Sequence, residues 1–351
     1  MSSTWDFLQY SPDLRGKVAL VTGGCTTSSG VGLETVRLLA LRGAKVYMAA
    51  RTESKARNAI SEILADNPDV RKEQIVWVGL NLSDLKTVVD AANYIKAHES
   101  RLDIVVNNAC GVPSAACTDA GWEPNIAISH VGHFTLNNLL LPLLKSTTCT
   151  SDADVRIVVV SSVAQSSMLP SNYVPNFAGP DALKNPIPYR PWAHRWLSPL
   201  FIRLDVTAYG VTKLANALYA QELQRHLSDG VQQDAEDALS SRSIIVTAVH
   251  PGTVRTPGMA EVFQPWILGL ASHFAVTPTE GAQNLLFAAT ANEVRSQPEK
   301  FAGRFLLPIG QVAPLHPSAK DPALGAGLWE NTQRQVNTYL KQHGLDELLP
   351  W

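Results

Sequence analysis

The stretch KVALVTGGCTTSSGVGLETVRLLAL, residues 17–41, decides the fold. Lys17 to Val21 is a short apolar run rich in β-branched residues and reads as a strand, while Leu33 to Leu41 has the spacing of an amphipathic helix. Between them lies a glycine-rich turn. Gly23, Gly30 and Gly32 let the backbone come close to a ligand, and the free N–H groups at the helix start, from Ser29 through Val31, suit a pyrophosphate. An ordinary strand-to-helix loop also uses glycine, so the reading depends on the residues beyond the helix.

A second strand, Ala44 to Ala49, comes at the right distance and leads into Arg51. In dinucleotide-binding folds an acidic residue near this strand end holds the ribose hydroxyls of NAD, whereas an arginine suits the extra phosphate of NADP. Arg51, helped by Lys55, therefore reads as selecting NADP(H). The bland alternative is a solvated pair of charges.

Further along, TAYGVTK, residues 207–213, opens an amphipathic helix. Its spacing places the Tyr209 phenol and the Lys213 ammonium on one face. A neighbouring cation stabilises the phenolate and suits Tyr209 to give or take a proton. A snorkelling lysine beside a packed tyrosine would have the same spacing.

These pieces occur in a recognisable order. The chain resembles the short-chain dehydrogenase/reductases, particularly their retinol-dehydrogenase-like branch, from about Leu14 to about Tyr339. The matching segments are the glycine turn, Leu80-Asn81-Leu82, Asn107-Asn108-Ala109 after a strand at Leu102 to Val106, and Ser129-His130-Val131-Gly132-His133-Phe134. They continue with Val160-Ser161-Ser162, the Tyr209/Lys213 pair, and His250-Pro251-Gly252-Thr253-Val254-Arg255-Thr256.

The resemblance implies roles. Tyr209 would protonate the alkoxide that develops as a hydride reaches a carbonyl carbon, Ser162 would steady that oxygen, and Lys213 would hold the nicotinamide ribose. Ser161, the first of its pair, would turn inward. Val254 and Thr256 fall where the family contacts the nicotinamide carboxamide. Asn81, with Leu82, and Asn108 fall where it contacts the adenosine half, and Asn107 where it braces the strand core.

The chain departs from the family pattern at three places. Six residues separate Gly23 from Gly30, a longer spacing than the family's, so the phosphate loop must bulge. Its Thr26, Thr27 and Ser28 hydroxyls would contact phosphate, or the loop would arch over the helix end. Ser129 stands in place of the family's catalytic asparagine and keeps the backbone carbonyl while shortening the side chain. Cys110 stands where the family has glycine and adds a side chain beside the dinucleotide.

Strands near Val155 to Ser161, Ser243 to His250 and Arg304 to Leu307 continue the alternation with helices. This predicts a Rossmann-type, doubly wound parallel α/β sheet in one domain spanning residues 1–351. The cofactor half would run over about 14–160 and the substrate half over about 161–345. Two segments break the rhythm as enlarged lids: Gln165 to Val206 and Thr256 to Thr277. Tyr173, Phe177, Tyr189, Trp192, Trp196 and Phe201 in the first, and Phe263, Trp266, Ile267, Leu268 and Leu270 in the second, are candidate pocket walls for a bulky hydrophobic ligand. Packing of the lids onto the sheet would use the same residues. Contact of the Pro265 to Phe274 run with a membrane surface is a lesser alternative, given its short length. A closing helix is expected over about Pro322 to Leu340, with Trp329 on its face.

Composition fits this reading. A net charge of −2 without a basic cluster offers nothing to nucleic acid. Nothing in the chain reads as a membrane span or secretory signal, and a soluble cytoplasmic protein is expected. Cys25, Cys110, Cys117 and Cys149 lack paired spacing and read as reduced thiols. His130 and His133, one helical turn apart, lack a third ligand, so no metal is expected, and the sequon at Asn81 lies at a strand end. The partners expected are a hydrophobic small molecule and, by analogy, a second copy in a homodimer.

The leading reading is an NADPH-dependent carbonyl reductase, or the reverse alcohol dehydrogenase, acting on a specialised-metabolite, steroid or retinoid-like compound. A non-redox isomerase or cyclase using Tyr209 for proton transfer is the alternative. A dinucleotide-binding protein without catalysis is the third.

Overall fold

Parallel strands are buried on both faces and therefore read as unbroken apolar runs. Val18–Thr22 (β1), Arg156–Val160 (β5) and Ile245–Val249 (β6) are buried at every position. In the computed structural model, which describes residues 5–25, 29–111, 118–229 and 243–351, these three belong to one sheet. The others are Lys45–Ala50 (β2), Ile75–Gly79 (β3), Ile104–Asn107 (β4), Phe305–Leu307 (β7) and Gln311–Ala313 (β8). Thr26, Thr27 and Ser28 of the glycine loop, and Cys117, lie outside the described residues.

The sheet has eight strands in the order β3-β2-β1-β4-β5-β6-β7-β8. All neighbours through β7 are parallel, as the sequence predicts. The eighth strand is an addition to that expectation: β8 runs antiparallel to β7. Only Pro308, Ile309 and Gly310 join the two, too few for a crossover, so the chain can only turn back. Gly310 makes the turn with a φ of +67°, a conformation in which glycine carries no side-chain penalty.

Eight longer helices matter here: Val31–Leu41 (α1), Glu53–Asp66 (α2), Leu85–His98 (α3), Gly132–Thr147 (α4), Val206–Asp229 (α5), Pro265–His273 (α6), Pro278–Thr290 (α7) and Pro322–Gln342 (α8). α1, α2 and α7 bury their apolar stripes on one face of the sheet. α3, α4, α5 and α8 cover the other, with Trp329 of α8 buried there as expected. The strand order reverses between β1 and β4, and the crevice outside the carboxyl ends of such strands is where ligands bind. No helix of the described residues is long and apolar enough to cross a membrane.

One side chain ties the parts around that crevice together. The Thr22 hydroxyl, at the end of β1, accepts from the backbone N–H groups of Asn108 and Ala109, each at 3.0 Å. It lies 2.8 Å from His133 Nε2. His133 Nδ1 is 2.9 Å from the Ser129 carbonyl, which can only accept, so Nδ1 carries the proton and Thr22 donates to Nε2. Glycine turn, β4 end and the start of α4 thus meet at one oxygen.

The spacing of His130 and His133 predicts one turn of a regular helix. Instead, Ala127–Val131 forms a wider π-helical turn leading into α4, a distortion frequent beside functional sites. His130 Nε2 donates to Thr332 Oγ1 at 2.9 Å, whose hydroxyl donates to the Leu328 carbonyl at 2.7 Å. Burial pushes His130 down to about 3 and His133 to about 4, with the Lys213 charge adding to the second. Among the described residues no group of histidines, cysteines or carboxylates gathers to hold a metal.

Thr22→Val keeps the shape but leaves the Ala109 N–H and His133 Nε2 without a partner, while Asn108 N retains the Val106 carbonyl at 3.0 Å, so it should cost about 2–4 kcal/mol in urea unfolding. Thr22→Ser should cost far less. The buried histidines also make stability depend on pH. Below about 6.5 the unfolded chain binds protons that the folded chain refuses until about pH 4, so stability falls on acidification through that window. His130→Gln retains a donor to Thr332 without a titrating ring, and its loss of unfolding midpoint between pH 7 and pH 5 should be smaller than the wild type's.

Candidate active site

The helix α5 starts at a specific place because Asp205 caps it. Asp205 Oδ1 accepts from Ala208 N at 3.0 Å, satisfying a first-turn donor. Its other oxygen accepts from Arg190 Nε at 2.7 Å, and His194 Nδ1 meets the Thr207 hydroxyl at 2.8 Å. The first lid is therefore tied to the opening turn of this helix. One turn on, Lys213 Nζ stands 5.6 Å from the centre of the Tyr209 ring. The two share a face, as the spacing predicts.

Gly210 lets the helix approach the segment after β5. A Cβ there would stand 3.1 Å from both the Ala164 carbonyl and the Leu169 side chain. Across this close contact Ser161 Oγ donates to the Lys213 carbonyl at 2.6 Å, so Ser161 turns inward as expected. Lys213 Nζ and Asn216 Nδ2 both donate to the Val160 carbonyl, at 3.3 and 3.0 Å. Ser162 Oγ accepts from Ala164 N at 3.2 Å, which leaves its own proton available to donate.

Lys213 is only 3% exposed, and among the described residues no carboxylate pairs with it. A buried ammonium has three donors to satisfy, and one carbonyl is in place. Its charge, after burial, holds His250 down to about 4. This corner of the site is electropositive with donors to spare.

Ser129 uses both of its oxygens. Its carbonyl accepts from His133, and its hydroxyl accepts from Gly111 N at 3.2 Å. The substituted side chain therefore holds the loop that carries Cys110 and Gly111, a use that residue type alone does not reveal.

On the other side of the crevice, Gly23, Arg51, Lys55, Asn81, Leu82 and Cys110 line one cleft. Cys25 and Ile128 line it as well, and neither is singled out by the sequence motifs. Cys25 carries a signal, since it sits inside the glycine loop. Burial raises its thiol above the ordinary range, which makes it inert. Neither Arg51 nor Lys55 forms a hydrogen bond or ion pair among the described residues. Asn81 Oδ1 accepts from Ser83 Oγ at 2.8 Å, so the sequon serine fixes the asparagine that faces the cleft.

Other expected residues act beneath the cleft. Asn108 donates through Nδ2 to the carbonyls of Thr22 and Gly23, at 2.9 and 3.4 Å, and so braces the turn. Gly32 packs on that brace: a Cβ would lie 2.5 Å from Asn108 Nδ2 and from the Gly23 carbonyl. Gly30 caps α1 without a side-chain hydrogen bond. Val31 and Val254 converge on Gly281, where a Cβ would meet their methyls at 3.2 and 2.6 Å. Val254 also bridges to Val276, and the Thr256 carbonyl starts the second lid by accepting from Met259 N. Asn107 is buried in the strand core as expected, but neither end of its amide is hydrogen-bonded among the described residues.

A family model described as short chain dehydrogenase matches residues 17–174. Over 333 residues the chain is 40% identical to a short chain dehydrogenase/reductase of Colletotrichum higginsianum, covering 95% of this chain and 77% of that one. A short chain dehydrogenase/reductase of Gibberella zeae is 37% identical over 333 residues, with 95% and 85% covered. Among solved structures, the L-sorbose reductase of Gluconobacter frateurii, complexed with NADPH and L-sorbose, shares the fold with a TM-score of 0.57. Its identity is 18%, over 85% of this chain and 97% of that one. The NADPH-bound carbonyl reductase from chicken fatty liver does so at 0.53 and 19%, over 86% and 99%. With relatives matched along nearly its whole length and the fold shared with solved reductases, the chain belongs to the short-chain dehydrogenase/reductase family of oxidoreductases.

Proposed function

We propose that the protein is an NADPH-dependent oxidoreductase that reduces a ketone or aldehyde on a bulky hydrophobic small molecule, or oxidises the corresponding alcohol. The observation that carries this reading is the buried Lys213 ammonium beside the Tyr209 ring, with Ser162 at the adjoining strand end. Packing alone gives no reason to bury a lysine without a carboxylate.

The cleft fits the dinucleotide. Gly23 lines it at the positive-φ turn after β1, and among the described residues no side chain accepts from the N–H groups of Val31, Gly32 or Leu33 at the start of α1. A diphosphate supplies the missing acceptors. Arg51 and Lys55 would hold the 2′-phosphate, with Asn81 and Leu82 along the adenosine, and Val31, Val254 and Thr256 toward the nicotinamide end. When bound, the cofactor supplies or takes the hydride at the carbonyl carbon.

The remaining work falls to the chain's own groups. Tyr209 gives its phenolic proton to the oxygen that becomes the alcohol, or takes it in the reverse direction. The free Ser162 O–H donates to the same oxygen. Lys213, with donors unspent, orients the ribose and favours the phenolate after the proton leaves. Ser129, through its carbonyl and the loop it holds, positions the groups around Lys213. Phe263, Ile267 and Leu268 of the second lid, half-buried after the end of β6, support an apolar substrate.

Calorimetric titration of the full chain should show tight NADPH binding and much weaker NADH binding. Arg51→Ala should weaken NADPH roughly tenfold or more while changing NADH little, the loss expected for a charge-assisted contact. If the chain binds neither nucleotide, the proposal fails. Tyr209→Phe should leave the NADPH affinity intact and lower substrate-dependent NADPH consumption by roughly 10²-fold or more. Turnover preserved in that variant would exclude Tyr209 as the proton donor, and substrate conversion without NADPH consumption would favour an isomerase.

A further inference from the structure

One wall of the cleft that Arg51 and Lys55 share is built on the π-turn. Ile128, inside that turn, lines the cleft itself. Ser129, the next residue, holds Gly111 N through its hydroxyl, and Cys110 beside Gly111 is another lining residue. Gly132, where the turn passes into α4, lies against Leu82, a third. A Cβ there would stand 2.5 Å from the Leu82 carbonyl. Three pieces of the wall, from distant parts of the chain, thus rest on residues 128–132.

Between Ile128 and Gly132, His130 points away from the cleft toward α8. Its Nε2 meets Thr332 Oγ1 at 2.9 Å, and the two residues are 1% and 0% exposed. The Thr332 proton is spent on the Leu328 carbonyl, so the hydroxyl accepts from His130. His130 Nδ1 has no partner, which leaves Thr332 as the ring's one hydrogen bond among the described residues.

The helix that offers this acceptor is itself fixed. Asn138 of α4 and Leu349, beyond the end of α8, exchange two hydrogen bonds of 2.8 Å each. The Trp351 ring lies 5.0 Å from Phe134 of α4 and 4.6 Å from Trp329 of α8. Gly327 brings α8 so close to the first lid that a Cβ would lie 2.8 Å from Ala178 Cα. The His130–Thr332 bond passes this fixed position on to the turn.

We propose that Thr332 is a positioning residue for the dinucleotide. It does not line the cleft, but through His130 it sets the turn on which Leu82, Cys110 and Ile128 stand. Contact groups need such support from behind, because a binding constellation works only within about 0.5 Å of its geometry. The proposal rests on the reading of the cleft as a dinucleotide site.

The test is calorimetric titration of the full chain with NADPH, paired with hydrogen–deuterium exchange of the segment carrying Gly111. Thr332→Val is isosteric and strands the His130 donor. It should weaken NADPH roughly tenfold, the order expected when a buried donor loses its partner, and speed exchange at Gly111. Thr332→Ser keeps the acceptor and should keep both at wild-type values. His130→Phe fills the ring's space without a donor and strands nothing, so it should melt near the wild type yet show the same losses, even where Thr332→Val fails to fold. Thr290→Val removes another buried hydroxyl, bonded within α7 on the opposite face of the sheet, and should change neither quantity. Wild-type affinity or exchange in a folded Thr332→Val or His130→Phe protein, failure of Thr332→Ser to keep them, or an equal loss in Thr290→Val would overturn the proposal. If the wild type binds no NADPH, the reductase reading fails, and exchange at Gly111 alone decides whether Thr332 sets the turn.

Discussion

Everything around the crevice depends on where the Thr22 hydroxyl sits. It is the only group through which β1, the Asn108-Ala109 segment and, by way of His133, the Ser129 turn are all bonded among the described residues. A buried hydroxyl with two donors and one acceptor satisfied has one arrangement, because each lone pair and the proton are already committed. His133 must stay neutral for that arrangement, and burial with the Lys213 charge keeps it so. The site's cation thereby helps to hold the scaffold that positions it.

The two ends of the sheet divide the labour. At the amino ends of the strands, Asp103 accepts from Val18 N at 2.9 Å and pairs with Arg101 at 2.6 Å. Asp154 there accepts from both Arg156 and Arg295, and Arg156 also donates to the Ala288 carbonyl at 3.0 Å. The two that are buried, Asp103 and Arg156, each have a partner and further hydrogen bonds, the condition under which burial is tolerated. At the carboxyl ends the pattern reverses. Among the described residues Lys213 pairs with no carboxylate, the Gly30 cap of α1 brings no side-chain hydrogen bond, and the cleft that Arg51 and Lys55 line holds no carboxylate. Among the described residues, the structure thus pairs its charges at one end of the sheet and leaves them without a counter-charge at the other.

The lids show how far residue type alone can mislead. Aromatic residues that read as one set of pocket walls divide by environment. Tyr173 and Phe177 are fully buried and belong to the core with Trp329, while Trp192, Trp196 and Trp266 face outward. Nothing in composition separates the two groups. What separates them is that the chain around Tyr173 and Phe177 lies under α8, where Asn331 Nδ2 bonds the Phe177 carbonyl at 3.0 Å, whereas residues beyond Arg190 are tied to the opening turn of α5 and to the second lid.

Local pattern was enough for most of the frame. Buried parallel strands, the turn after β1, and the four-residue offset of Tyr209 and Lys213 are properties of short stretches, and backbone geometry translates them directly into structure. The antiparallel β8, the π-turn at Ser129, the Thr22 hub and the bracing role of Asn108 were not legible in this way. Each depends on partners distant in sequence: Thr22 and His133 are separated by 111 positions, and a side chain's hydrogen bonds are allotted only after those segments have packed. The same reason applies to the two lids, joined where Trp266 Nε1 donates to the Leu200 carbonyl at 3.0 Å. Their apolar residues are plain in the chain, but only the docking of one lid on the other decided which of them would be left facing out.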